Sequence, residues 1–330
     1  MTNTFHRRTL IARALTTAAA SCLLASAPAW AQSSAPLRVI LPVGAGSGVD
    51  TIVRTAQGAL SKALGGQSVV VENLTGAGGI PGTSALVKSA PDGNTVAFIS
   101  NNHSVNPSVF KNMPYDSLAD ITPISVVGGS PFVLVVNPAK MPVSNAKEMQ
   151  ALLKSKPGGF NMGSSGNGTI IHLAGEMFVD AAGVQVQHIP YKGMGPMMMD
   201  VIAGQVEFGV AAVAAAQGHL ATGRMRAIGI MGKQRIAALP DVPTLAEQGF
   251  PDVDVEGWFA LVGPKGLPAA QVERLHKAVV AAFNDPEVKA AMDKQNNVIN
   301  PTSPDMAAKF LKSEQERYAR IVSKANIKID

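Results

Sequence analysis

The chain has 330 residues, a hydrophobic content of 46%, one cysteine and a formal charge of +5. That hydrophobic content excludes a disordered chain, and the length allows about two domains with a sizeable buried core. Charged residues make up only 15% of the sequence, against roughly 25% in an average soluble domain, so the surface is sparsely charged.

In chain order, Arg7, Arg8 and Arg13 precede an apolar run from Ala14 to Ala27, and Ala29-Trp30-Ala31 follows it. This is the order of a secretory signal peptide, with cleavage expected after Ala31 and a periplasmic destination. The apolar run is shorter than the roughly 20 residues of a membrane-spanning helix. The Arg7-Arg8 pair hints at twin-arginine export but its neighbours fit that pattern poorly, so the export route stays open. Cys22 falls inside the segment to be removed. Loss of residues 1–31 leaves 25 basic and 23 acidic residues, a charge of +2, and no cysteine. Disulfides, thiolate zinc sites and cysteine nucleophiles are then excluded, and a charge of +2 is no nucleic-acid footprint.

Strand-like and helix-like segments alternate from there on. Leu37 to Val43 reads as a buried strand, and Asp50 to Leu64 as a helix with Ile52, Val53, Ala56 and Leu60 on one face. Ser68 to Val71 and Thr95 to Ile99 are further strands, with a short helix after Gly76–Gly82 between them. The third strand closes on a loop, Ser100 to His103. A second set spans strands Phe160–Gly163, Gln185–Ile189 and Val206–Val210, interleaved with helices Ser144–Lys154, Ile170–Ala182 and Met194–Ala203. Another helix and a strand, Ile228–Met231, complete it. The β-rich runs Ser130–Pro138 and Gly257–Pro264 read as two crossings between domains, and helices Ala269–Phe283 and Pro304–Ala325 return to the first. The pattern predicts an α/β fold with mainly parallel sheets, two lobes joined by two chain crossings, and an interdomain cleft. The first lobe takes residues 32–134 and 258–330, the second residues 135–257.

Several motifs invite chemistry. Gly44-Ala45-Gly46-Ser47-Gly48 sits between a strand and a helix, but Val49 stands where a dinucleotide fingerprint needs its third glycine, and Asp50 would lie near the pyrophosphate. A loop offering helix N-terminal amides fits better. Asp50 itself orients a bridging water or caps its helix. Asn161 to Thr169 lacks the Gly-Lys-Ser/Thr ending of a P-loop and fails G-x-S-x-G at Asn167. It leaves a turn of hydroxyls and amides able to hold a carboxylate, or an ordinary capped turn. His172 and Glu176, four apart, share a helix face and read as a structural pair, not half a metal site. His103, His188, His219 and His276 are scattered, with no spacing that links them to a nucleophile. Tyr191 and Lys192 open a helix; Lys192 is either an anion contact or a solvated charge.

Seven strings in order carry a resemblance: VENLTGAGG (Val71–Gly79), APDGNT (Ala90–Thr95), NPSVFKNMPYD (Asn106–Asp116), GSSGNGTIIHLAGE (Gly163–Glu176), IPYKG (Ile189–Gly193), LPDVPTLAEQGF (Leu239–Phe250) and GWFALVGPKGLP (Gly257–Pro268). Together they resemble the Bug family, the extracytoplasmic solute-binding proteins of tripartite tricarboxylate transporters. The resemblance implies a two-lobed, type II-like periplasmic binding fold, no catalysis, no cofactor or metal, and delivery of a small carboxylate to membrane permease subunits by a monomer. It implies ligand contacts at Val43, Gly44, Ala45, Gly46 and Asp50 in the first loop, and at Asn101, Asn102 and His103 after the third strand. The opposing lobe supplies Ser164, Ser165, Gly168 and Thr169, then Tyr191 and Lys192. Ala211 stands where the family often carries an acid, which predicts a roomier wall and a bulkier ligand, an aromatic carboxylate or dicarboxylate. A ligand sensor facing a membrane receptor and an exported hydrolase remain as alternatives.

Overall fold

The computed structural model describes residues 35–324. The expected export segment, the expected cleavage after Ala31 and Cys22 lie outside the described residues, as does Ala325 at the expected end of the last helix.

β1 (Leu37–Leu41) sends Leu37, Val39 and Leu41 into one apolar cluster and Ile40 into another, as a strand covered on both faces must. Helix α1 (Gly48–Ala63) starts ahead of the expected Asp50 because Ser47 is its N-cap, the Oγ accepting the Asp50 N–H at 3.2 Å. Its stripe Ile52, Val53, Ala56 and Leu60 is buried, and Gly65 at φ +70° ends it. β2 (Val69–Asn73) leads through one 3-10 turn (Ala77–Gly79) into α2 (Ile80–Val87).

β3 (Thr95–Ser100) runs directly into α3 (Asn101–Val109), where the sequence suggested only a loop. Two asparagines at its start and Pro107 inside it lower its helical propensity; its bonds to other elements hold it instead. β4 (Ile121–Val136) begins well before the expected Ser130. Shifts in pairing register between Pro123 and Ser125, and between Val126 and Gly128, fall at the first of this strand's two prolines and at its two glycines. Then follow α4 (Ala146–Ser155), β5 (Asn161–Ser164), α5 (Ile170–Ala182), β6 (Gln187–Pro190), α6 (Met194–Ala203), β7 (Phe208–Ala212), α7 (Val213–Ala221) and β8 (Arg226–Ile230). β9 (Glu256–Pro264), α8 (Ala269–Phe283), α9 (Pro286–Lys294), β10 (Val298–Ile299) and α10 (Pro304–Lys324) complete the described chain.

The strand order is β2-β1-β3-β9-β4-β7-β5-β6, with β8 and β10 also on β4. Within each βα block the strands are parallel: β2, β1 and β3 in the first, β6, β5 and β7 in the second. The connecting strands β4 and β9 run antiparallel to their neighbours. β4 pairs with β9 as far as Pro131 and with β7 from Phe132, so one continuous strand serves both blocks. The expected crossings therefore fall on β4 and β9.

Apolar clusters pack against both blocks. Val39, Ile52, Phe98, Phe259 and Phe283 meet between α1, α8 and the first sheet. Phe178, Phe208, Met197 and Phe250 meet in the second block. Burial of each such side chain contributes about 1.5–3 kcal/mol. Parallel strands followed by helices put six strand-to-helix junctions at the same ends of the sheets.

Candidate functional site

Those junctions converge. The N-caps of α1 (Ser47), α2 (Gly79), α3 (Ser100), α5 (Thr169), α6 (Gly193) and α7 (Ala212) all line one cavity of about 670 Å³. Each helix start brings roughly half a positive charge and unpaired N–H groups to the space it faces. Among the described residues, Lys192 is the one ionisable lysine, arginine or carboxylate on the lining, and it is exposed. Phe110, Phe132, Ile52, Ile170 and Ile171 form apolar parts of the wall. The chemistry available is therefore that of an anion held by neutral amides beside an apolar body.

The first wall is the loop between β1 and α1. Val43, Gly44 and Ser47 line the cavity; Ala45 and Gly46 are exposed, and Asp50 is buried behind them. Asp50 Oδ2 accepts the Gly46 N–H at 3.0 Å, while Oδ1 accepts from Arg54 Nε at 2.8 Å and Asn73 Nδ2 at 2.9 Å. Asn73 Nδ2 also reaches the Val43 carbonyl at 3.1 Å. Asp50 is thus not the helix cap and is not on the cavity lining: its carboxylate fixes the loop's shape from behind. Gly44 faces the opposite wall so closely that a Cβ there would lie 3.5 Å from Gly193 Cα.

A second glycine run, Gly76 to Gly79, sits beside this loop and also lines the cavity. Gly79 has φ +88°, and a Cβ there would overlap the Pro42 carbonyl oxygen and lie 2.8 Å from Pro42 Cβ. Gly79→Ala is expected to cost at least about 2 kcal/mol of stability, from left-handed strain plus collision with backbone. A urea titration measures it, and an unchanged midpoint would contradict the fit described here.

α3 supplies three of the expected contacts, with three different fates. Asn102 lines the cavity and its Oδ1 accepts the Ile170 N–H at 2.7 Å, so it takes the first amide of α5 from the opposite wall. Asn101 also lines it, but its side chain is committed elsewhere. Its Oδ1 accepts the Trp258 N–H at 2.9 Å, and its Nδ2 donates to the Glu256 carbonyl at 2.9 Å and to the Tyr318 hydroxyl at 2.7 Å. His103, expected beside them, is off the lining: helical geometry turns it away from the cavity into the protein, where Nε2 lies 2.6 Å from the Ser117 carbonyl. Burial lowers its pKa from 6.5 to about 4, opposed by the hydrogen bond to Ser117.

On the facing wall, Ser165 and Thr169 line the cavity, joined by a 3.0 Å hydrogen bond between their hydroxyls. Thr169 Oγ1 also donates to the Gly166 carbonyl at 2.8 Å and accepts the His172 N–H. Ser164 and Gly168, expected as contacts, lie behind this surface. Ser164 is fully buried: its Oγ accepts the Gly166 N–H at 3.1 Å and lies 2.6 Å from His188 Nε2. The Gly168 N–H donates to His172 Nδ1 at 3.2 Å. A buried serine whose oxygen braces a loop is not a presented nucleophile. Tyr191 lines the cavity while its hydroxyl donates to Asp200 Oδ2 at 2.8 Å; desolvation, reinforced by Asp200, pushes that hydroxyl up to about 12. Ala211 is buried and off the lining, because side chains alternate along β7 and Ala212 faces the cavity instead.

Some lining residues were not singled out from the sequence. The run Thr75 to Gly79 carried a readable signal, glycines before a helix start, as plain as that of the first loop. Phe110, Phe132 and Ser130 carried none, since they approach the cavity only through folding. Ser130 is buried on the wall next to the residue where β4 changes partner, and its Oγ has no hydrogen-bond partner.

Known proteins are similar to this chain in sequence and fold. The profile of the tripartite tricarboxylate transporter family receptor matches residues 52–327. Protein BugT of Bordetella pertussis is 33% identical over 296 residues, covering 89% of this chain and 90% of BugT. An adipate-bound R. palustris protein superimposes with a TM-score of 0.86 at 27% identity, over 91% of this chain and 99% of its own. MatC from Rhodopseudomonas palustris, with bound malate, gives a TM-score of 0.82 at 25% identity, over 87% and 98%. By sequence along most of its length, and by a fold it shares with periplasmic binding proteins, the chain belongs to the tripartite tricarboxylate transporter receptor family.

Proposed function

We infer that this chain is an exported, periplasmic receptor without enzymatic activity or cofactor, which captures a small carboxylate and delivers it, as a monomer, to the permease of a tripartite transporter. One observation carries the reading: six helix N-termini surround a cavity that, among the described residues, no carboxylate side chain lines. A bound carboxylate there is stabilised by backbone dipoles, each contributing roughly 0.3–1 kcal/mol. No buried cation has to be desolvated when the site closes. Asn102 supports this, since its carbonyl oxygen already bonds to one of those amides.

In this reading the lobes are residues 32–134 with 258–330, and residues 135–257. They close about β4 and β9, which join the two blocks. The ligand is an aromatic carboxylate or a dicarboxylate. Phe110 and Phe132 on the wall favour an apolar body, and two relatives of similar fold hold the dicarboxylates malate and adipate. A thermal-shift series with malate, adipate, benzoate, phthalate, aspartate and a neutral amide tests it. At about 100-fold over Kd, a true ligand raises the melting temperature by about 5 °C or more. Stabilisation by the neutral amide alone, or by aspartate alone, overturns the substrate class proposed.

A further inference from the structure

Behind the loop Ser164–Thr169 stand two histidines that the sequence left unconnected. The rings of His172, on α5, and His188, on β6, are stacked at 3.8 Å between centroids and 8° between planes. Each holds a different part of the loop. His172 Nδ1 accepts the Gly168 N–H at 3.2 Å, and His188 Nε2 shares a 2.6 Å hydrogen bond with Ser164 Oγ, which accepts the Gly166 N–H. A backbone amide can only donate, so Nδ1 of His172 carries no proton and Nε2 carries it, 3.5 Å from Glu176 Oε1. The pair thus fixes both glycines that shape the loop presenting Ser165 and Thr169 to the cavity.

We propose that the His172–His188 stack is the positioning element of this loop and couples it to protons: with both rings neutral the loop keeps its shape, and in acid it is released. A second proton on His172 puts an Nδ1–H against the Gly168 N–H, two donors with no acceptor between them. A proton on His188 places a cation face to face with its neighbour. The groups acting on His188 are its own burial, which disfavours the charged form most, then His172, which adds to that, and Glu176, which opposes it. Their balance lowers His188 from the ordinary 6.5 to about 4, so the His188 ring stays neutral through mild acid. Neither histidine is on the cavity lining, so each acts through the loop, not on the ligand.

This inference rests on the loop being the carboxylate site for its consequence, weaker binding in acid, but not for its test. The experiment follows the Gly166 and Gly168 amides of ¹⁵N-labelled protein by NMR without added ligand, together with the histidine ring nitrogens. At neutral pH, His172 should show the Nε2–H tautomer. On acidification, the hydrogen-exchange protection of Gly168 should fall by at least about tenfold, in step with protonation of the ring that holds it. The double variant His172→Asn and His188→Gln keeps an acceptor near each contact but cannot titrate, so its loop amides should stay protected throughout. Protected glycine amides in the wild type after both rings have titrated overturn the proposal, as does a double variant with the wild-type acid response. Should the double variant not fold, the wild-type titration still decides. A failed carboxylate screen leaves this result untouched, so the two readings fail separately.

Discussion

Replacing Ser165 by aspartate is expected to weaken carboxylate binding by at least about tenfold, or 1.4 kcal/mol, with the fold intact. Ser165 lines the cavity one turn before α5, with its hydroxyl on Thr169. An aspartate there brings a full negative charge to the place where helix starts attract the ligand. It also competes for the same N–H groups, which now serve a tethered carboxylate. The substitution does not disturb the apolar core, and an acid near a helix N-terminus is favourable for folding. Melting temperature without ligand should therefore stay within a degree or two of wild type, while calorimetry with the best carboxylate from the thermal-shift series shows the loss. Equal affinity in the two proteins would remove this loop from the site. Ser165→Ala separates charge from the lost hydroxyl, and its effect should be the smaller.

The second large effect is expected at Asp50, and it combines stability with binding. Asp50→Ala strips the first loop of an acceptor for Gly46, Arg54 and Asn73 together. Arg54 is nearly half exposed and can be rehydrated, so the cost is not that of stranding a buried charge. What remains is the loss of charge-assisted hydrogen bonds at a buried carboxylate, about 2–3 kcal/mol. That corresponds to a fall of roughly 5–10 °C in melting temperature. With the Gly46 amide released and Asn73 losing one anchor, Val43 and Gly44 lose their fixed position, and carboxylate affinity should drop by about tenfold or more. Arg54→Met makes a useful comparison, because it removes one partner of Asp50 and leaves the Gly46 contact. It should reduce stability by less and affinity hardly at all. A loop that binds normally in Asp50→Ala would mean that the backbone holds its shape unaided.

Both predictions depend on which residues the chain pattern revealed and which it hid. The 3.6-residue stripe of α1 and the limits of α5, α6 and α8 could be read from apolar spacing, because these helices bury one face against a sheet. α3 could not. Its first residues are asparagines and it contains a proline, so its helical state comes from bonds made at long range, such as Asn101 to Trp258 and Asn102 to Ile170. The same limit explains the site. Glycine runs before helices marked the loops at Gly44, Gly166 and Gly193, since those conformations need particular residues wherever they occur. Which side chain of a loop faces ligand and which faces protein depends on what stands behind it. Spacing alone could not separate Ser165 from Ser164, Asn102 from His103, or Ala212 from Ala211.

The sequence by itself determined the composition of the cavity wall: few charges and several helix starts preceded by glycine, serine or threonine, the features on which the proposed carboxylate site rests. It also determined the order of most strands and helices, α3, α9 and β10 excepted, because burial imposes its period on neighbouring residues. Only the tertiary structure decided that Asp50 braces a loop, that β4 runs unbroken through both blocks, and that His188 meets His172 and Ser164. Each of these joins residues far apart in the chain or depends on the side of a backbone from which a side chain leaves, and local periodicity carries neither.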